Sequence, residues 1–234
     1  MTAIFKREMR AFFRTPAGYA FMAIFAAASG FLFSFTCLRK QTTDMSEYFS
    51  MLMVAYTVIL PLLTMKSFAE ERRQGTEQLL MTSPVSPAML VLAKFLASFT
   101  MFLITVSTTF IYLIPLSVYG TVNFGRVLGC LIGMIFIAAC FIAVGLFIST
   151  LTKNQFVAAL VTIGVLAAFL AVGLLSDYLD SGFFKTVFGW LSIYTRFSYF
   201  TYGLFDVASA VYYVSLAALF LFLAVRVIER RRYA

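Results

Sequence analysis

Six stretches of this chain are each about as long as the hydrocarbon core of a bilayer and nearly free of charge: 17–37, 48–66, 87–119, 127–150, 156–175 and 207–228. A helix rises about 1.5 Å per residue, so roughly twenty apolar residues cross that core. Hydrocarbon offers backbone N–H and C=O groups no water to bond, and a helix satisfies them within one segment. The pattern predicts an all-α integral membrane protein with six transmembrane helices, in one domain covering 1–234. Only 12% of the residues are charged, against about a quarter in soluble domains.

The remaining charges are arranged by side. Six spans put both termini on one face of the membrane. With both in the cytoplasm, the inner segments hold thirteen Lys and Arg and the outer segments five, the bias expected of cytoplasmic loops. That bias accounts for most of the formal net charge of +8 and leaves no need for a nucleic-acid partner; the partner it implies is the bilayer. There is no histidine, which excludes H-E-x-x-H metalloproteases, serine–histidine dyads and histidine-held metals. No G-x-x-x-x-G-K-[ST] occurs, so the chain has no P-loop for ATP. No catalytic residue, metal ligand or bound cofactor is expected, and the chain does not read as an enzyme. Cys37, Cys130 and Cys140 read as small apolar residues. The span interiors hold few ionisable groups, unlike those of ion-coupled carriers.

Residues 1–16 form the first local feature. At helical spacing Phe5, Met9, Phe12 and Phe13 share one side and Lys6, Arg7, Arg10 and Arg14 an adjoining one, as in helices that lie on a membrane surface. Thr15-Pro16 ends that helix. Pro61 should kink the second span and Pro115 the outer end of the third. The third span is about 50 Å long at 1.5 Å per residue, so its inner turns should reach the cytoplasm, with Lys94 near the headgroups. Gly129 and Gly133 form a small-xxx-small pair that allows close packing of the fourth span.

Two segments between spans carry more information. Residues 66–87 open with six charges, Lys66, Glu70, Glu71, Arg72, Arg73 and Glu77. Gly75 lets the chain turn, Thr76 can cap a following short helix with Glu77 in its first turn, and Leu79 and Leu80 give that helix an apolar edge. Ser86-Pro87 then starts the third span. The segment reads as a short helix across the inner ends of two spans, able to pass force from a soluble partner. Residues 176–206 hold eleven aromatics, a density suited to a membrane interface, and no run long enough to span. They read as short helices that dip into the outer leaflet and return.

The order Phe68, Glu71, Arg72, Gly75, Thr76, Glu77, Leu79, Leu80 and Pro84-Val85-Ser86 resembles the first cytoplasmic loop of ABC-2 type transporter permeases, most of all those associated with gliding motility. The starting run from Lys6 to Pro16, and Leu191 to Asp206 before the last span, resemble the same group. The resemblance implies an ABC-2 exporter-type fold. In it, 1–16 is an elbow helix, 67–86 a coupling loop seated on an ATPase, and 176–206 a re-entrant outer cap. The ATPase-coupling residues would be Glu70, Glu71, Arg72, Arg73, Gly75, Thr76, Glu77, Leu79 and Leu80. The cap residues would be Trp190, Tyr194, Arg196, Phe197, Phe200, Gly203 and Asp206. It further implies two copies of an ABC ATPase subunit that carry the ATP and Mg, and a second permease copy or homologue. The setting would be the cytoplasmic (inner) membrane of a bacterium, with both termini cytoplasmic. The function expected is export or extraction of a substrate, with a lipid-like one the preferred class. The alternative is a mechanotransmission module that acts on a membrane-anchored extracytoplasmic partner without moving solute.

Overall fold

The computed structural model describes residues 1–75, 86–119, 123–178, 192–203 and 206–232, with backbone alone for 119 and 174–178. In chain order the helices are α1 (Thr2–Arg14), α2 (Pro16–Phe33), α3 (Ser46–Thr64), α4 (Ala69–Arg73), α5 (Pro87–Ser107), α6 (Leu113–Tyr119), α7 (Phe124–Leu151), α8 (Gln155–Tyr178), α9 (Ile193–Thr201) and α10 (Val207–Arg232). No strand occurs among the described residues. Six segments are long and apolar enough to cross a membrane: Pro16–Leu38, Ser46–Arg73, Pro87–Val118, Phe124–Leu151, Gln155–Gly173 and Val207–Arg232. The protein is an all-α, six-span membrane fold.

Small residues determine which helix lies at the centre. Lipid tails are as apolar as leucine, so spans associate by close packing rather than by escape from water. α7 carries Gly129, Gly133, Ala138, Ala143 and Gly145, and it packs against α3, α5, α8, α9 and α10. Its Met134, Ile137, Ala138, Ile142, Ala143 and Leu146 are fully buried. A methyl group at Gly145 would run into the Thr64 hydroxyl of α3. A methyl at Gly133 would lie 2.9 Å from the Phe200 ring, and one at Gly129 3.0 Å from the Gly203 backbone. The small-xxx-small pair therefore receives the short helix α9 rather than another span. By contrast, the most apolar stretches of α2, α8 and α10 are only 33%, 33% and 22% buried, faces that hydrocarbon tolerates.

Hydroxyls inside the spans turn back on their own helices. Thr36, Thr105 and Thr162 donate to the carbonyls of Leu32, Met101 and Ala158, which removes the cost of burying them. At the end of the bundle away from α1, Ser29 joins Tyr112 at 2.8 Å and Tyr48 at 3.3 Å, while Tyr112 stacks on Phe33. The third span is interrupted upstream of Pro115. Residues Thr108–Tyr112 form a 3-10 segment before α6, because the proline ring crowds the carbonyl four residues earlier. Pro61 lies inside α3, which ends one turn later at Thr64.

Gly133→Val should lower the melting temperature of the detergent-purified chain by forcing Phe200 off α7, at a cost of about 1–3 kcal/mol. Gly164→Val is the matched control, since nothing lies within 4 Å of a side chain there. Equal melting of the two variants in a fluorescence thermal-shift assay would show that α9 is not seated on Gly133.

Candidate functional site

α1 enters the structure as an amphipathic helix with one acid, Glu8, among its basic residues. Ile4 and Phe12 pack on the core, and α1 lies against α2 and α5. Gly18 is what allows the approach, since a methyl there would meet the Phe12 carbonyl. This brings Glu8 over the start of α5, where Lys94 sits in the second turn.

Lys94, expected near the headgroups, has a side chain only 1% exposed. Its Nζ donates to the Ser67 carbonyl at 2.6 Å, and reaches Glu71 at 2.9 Å and Glu8 at 3.4 Å. The ammonium also lies 4.9 Å from the centre of the Phe68 ring. Arg7 completes the group, 2.6 Å from Glu8 and 2.8 Å from Glu71. Partial burial opposes the Arg7 charge, but the two carboxylates outweigh it and raise its pKa above the usual value. Two cations and two carboxylates thus neutralise one another where α1, α4 and α5 meet. A buried charge is tolerable when it is paired and hydrogen-bonded in this way.

α4 is fixed from a second direction. Ser149, fully buried on α7, accepts from the N–H groups of Phe68 and Ala69, each at 3.1 Å, and donates to the Met65 carbonyl. It satisfies N–H groups that a helix start cannot pair internally. Arg72 donates to the Leu151 carbonyl at 3.0 Å. Five residues of helix are therefore bonded to α1, to α5 and to the end of α7, and follow α3 after a single turn. Beside the joint lies a cleft of about 440 Å³, with Phe12, Leu62 and Leu63 on its apolar wall and Lys66 and Glu70 on its polar one.

Of the residues singled out from the sequence, Glu71 and Arg72 are in this joint. Glu70 lies beside it, held by Gln74 at 3.3 Å, and Arg73 is exposed. Gly75 ends α4 with φ +73°, the left-handed conformation that glycine adopts freely. Thr76, Glu77, Leu79 and Leu80 lie outside the described residues, as does Trp190. The remaining residues of the second group, that of Trp190, are drawn together around α9. Phe197 and Phe200 are buried against α7, Tyr194 packs near Gly173, and Arg196 stacks over Tyr212 at 4.4 Å. Gly203 turns the chain at φ +76° against Arg126. Asp206 caps α10, accepting from the backbone of Ala208 and Ser209. Its bonds, led by the Ser209 hydroxyl, hold its pKa below the usual carboxylate value. Glu8, Lys94 and Ser149 escaped the sequence reading as members of a site. A lone acid in a basic helix and a lone cation in an apolar one were the available signals.

The sequence model of a family described as ABC-2 family transporter protein matches residues 33–228, most of the chain and all of α3 to α9. A search of curated proteins returns no match.

Breaking the buried pair should be costly. Lys94→Met removes the buried cation that Glu8 and Glu71 share, and should destabilise the chain by about 3 kcal/mol. The double variant Lys94→Met/Glu71→Gln should recover part of that loss, since no carboxylate at position 71 is then stranded. Thermal unfolding of the four members of the cycle measures the coupling. Strict additivity would mean that Lys94 and Glu71 do not hold each other.

Proposed function

Because the chain belongs to the ABC-2 family of transporter proteins, we propose that this permease component receives motion from a separate ABC ATPase at the segment beginning with α4 and delivers it to the spans through the Lys94 joint. The carrying observation is that α4 is bonded at once to α1, α5 and α7. A push on α4 cannot move one span alone. ATP and Mg act on two ATPase subunits, and the segment from Glu70 to Leu80 is the coupling loop. Arg73 and Glu77, with Thr76, Leu79 and Leu80, supply the ATPase-facing side. Glu71 and Arg72 face the permease.

In this reading two permease chains pair, as the family likeness implies. The termini and α4 lie in the bacterial cytoplasm, and residues 192–206, with Trp190 before them, cap the outer side, in keeping with the likeness to gliding-type permeases. The substrate is lipid-like. A groove of about 460 Å³ between α3 and α8 is lined by Met51, Val54, Ala167 and Leu170, with Glu47 and Tyr194 also in its wall. A largely apolar wall with a few polar groups suits an amphiphile better than a sugar or an ion.

Arg73→Glu should weaken co-purification of a P-loop ATPase from the native host, since exposed interfacial charge governs association, while leaving the melting temperature unchanged. Glu71→Gln should retain the ATPase but lower its stimulation by the permease. An Arg73→Glu chain that still carries a fully stimulated ATPase at one-to-one ratio would place the docking surface elsewhere.

A further inference from the structure

The basic face of α1 is only partly used by the joint. Arg7 is committed to Glu8 and Glu71, whereas Lys6, Arg10 and Arg14 are exposed and make no ion pair among the described residues. Their spacing of four places them on one side of α1, away from Glu8. With Arg7, Ala3 and Ala11 they line a shallow hollow of about 530 Å³ that contains no acid. Two facts bear on the depth of this hollow. α1 ends at Arg14 and the first segment apolar enough to cross a membrane begins at Pro16, so one residue separates the end of the basic face from that segment. Phe13, flanking Lys6 on the helix circumference, is 39% exposed, an aromatic left free to enter acyl chains beside the cations.

We propose that Lys6, Arg10 and Arg14 form a binding site for the headgroups of anionic phospholipids in the leaflet on which α1 lies. Three unneutralised cations with no acid among them, held at headgroup depth, complement a surface of phosphates. The site does more than anchor α1. Glu8 on the opposite side of the same helix reaches Lys94, and Arg7 at the edge of the hollow reaches Glu71, so a lipid-bound α1 fixes the joint in the membrane plane. The site rests on the six-span topology and is independent of whether an ATPase docks on α4.

The test uses the full chain in nanodiscs of phosphatidylcholine with or without phosphatidylglycerol. Native mass spectrometry reads which lipid is retained, and hydrogen exchange reads the α1 amides. Phosphatidylglycerol should be retained at least ~10-fold over phosphatidylcholine, should slow α1 exchange, and should lose its advantage in high salt. The triple variant Lys6→Gln/Arg10→Gln/Arg14→Gln should abolish the preference, and Arg39→Gln/Lys40→Gln, on another loop, should keep it. Retention of the preference by the triple variant would overturn the site. So would a wild-type chain indifferent to phosphatidylglycerol whose triple variant sheds an acidic protein partner, since that assigns the face to protein. Were the triple variant not to fold, the exchange of wild-type α1 in the two lipid mixtures decides alone, and equal rates overturn the proposal.

Discussion

Burying leucine against leucine stabilises a soluble core but gains little in a bilayer, and this constraint shapes the whole molecule. What holds the spans together must come from contacts closer than lipid can make, or from polar bonds that lipid cannot offer. α7 supplies the first kind. Its glycines admit Thr64 of α3 and the Phe200–Gly203 corner, and nearly every side chain along its middle is fully covered. The helices on the rim need no such residues on their outer faces, and Phe31, Phe156 and Leu160 stand exposed there. Read in water these would be defects; in hydrocarbon they are the ordinary surface.

The second kind of contact is concentrated at the end of the bundle where α1, α4 and α5 meet. Lys94 is the clearest case. A buried ammonium without partners would be very unfavourable, so its burial makes sense only because Ser67, Glu71 and Glu8 arrive from two other elements. The dependence runs both ways. α4 is too short to hold itself, since a helix of five residues has hardly begun to repay its nucleation. It persists because Ser149 and Arg72 tie its two ends to α7 and Glu71 ties its middle to α5.

The spans were legible in the sequence because length and hydropathy act locally: each apolar run meets the bilayer requirement by itself. The starts of α2 and α5 were legible too, through Pro16 and the Ser86-Pro87 pair, whose serine accepts from the Met89 N–H. Pro115 was legible as a disruption but not in its place, because its ring acts on the preceding turn. The joint was not legible. Glu8 and Lys94 are 86 residues apart, and Arg7 and Glu71 are 64 apart. No periodicity brings together residues on three helices that happen to share a crossing point. The glycine pair shows the middle case. Gly129 and Gly133 announced a close neighbour, but only the fold says that the neighbour is α9.

The two ends of the bundle are fastened by different physics, and the difference bears on motion. The glycine contacts of α7 with α9 are steric, with distances near 3 Å from a would-be methyl to the facing atoms. Such a contact has one good geometry and resists sliding, because packed interiors do not deform continuously. The ionic joint is of another kind. Glu71 Oε1 lies within 2.9 Å of both Lys94 and Arg7, and Glu8 Oε1 within 3.4 Å of the same two. Each carboxylate can release one cation and keep the other, so the joint can shift without stranding a charge. The bundle is thus held by steric fit around α9 and by exchangeable ion pairs around α4.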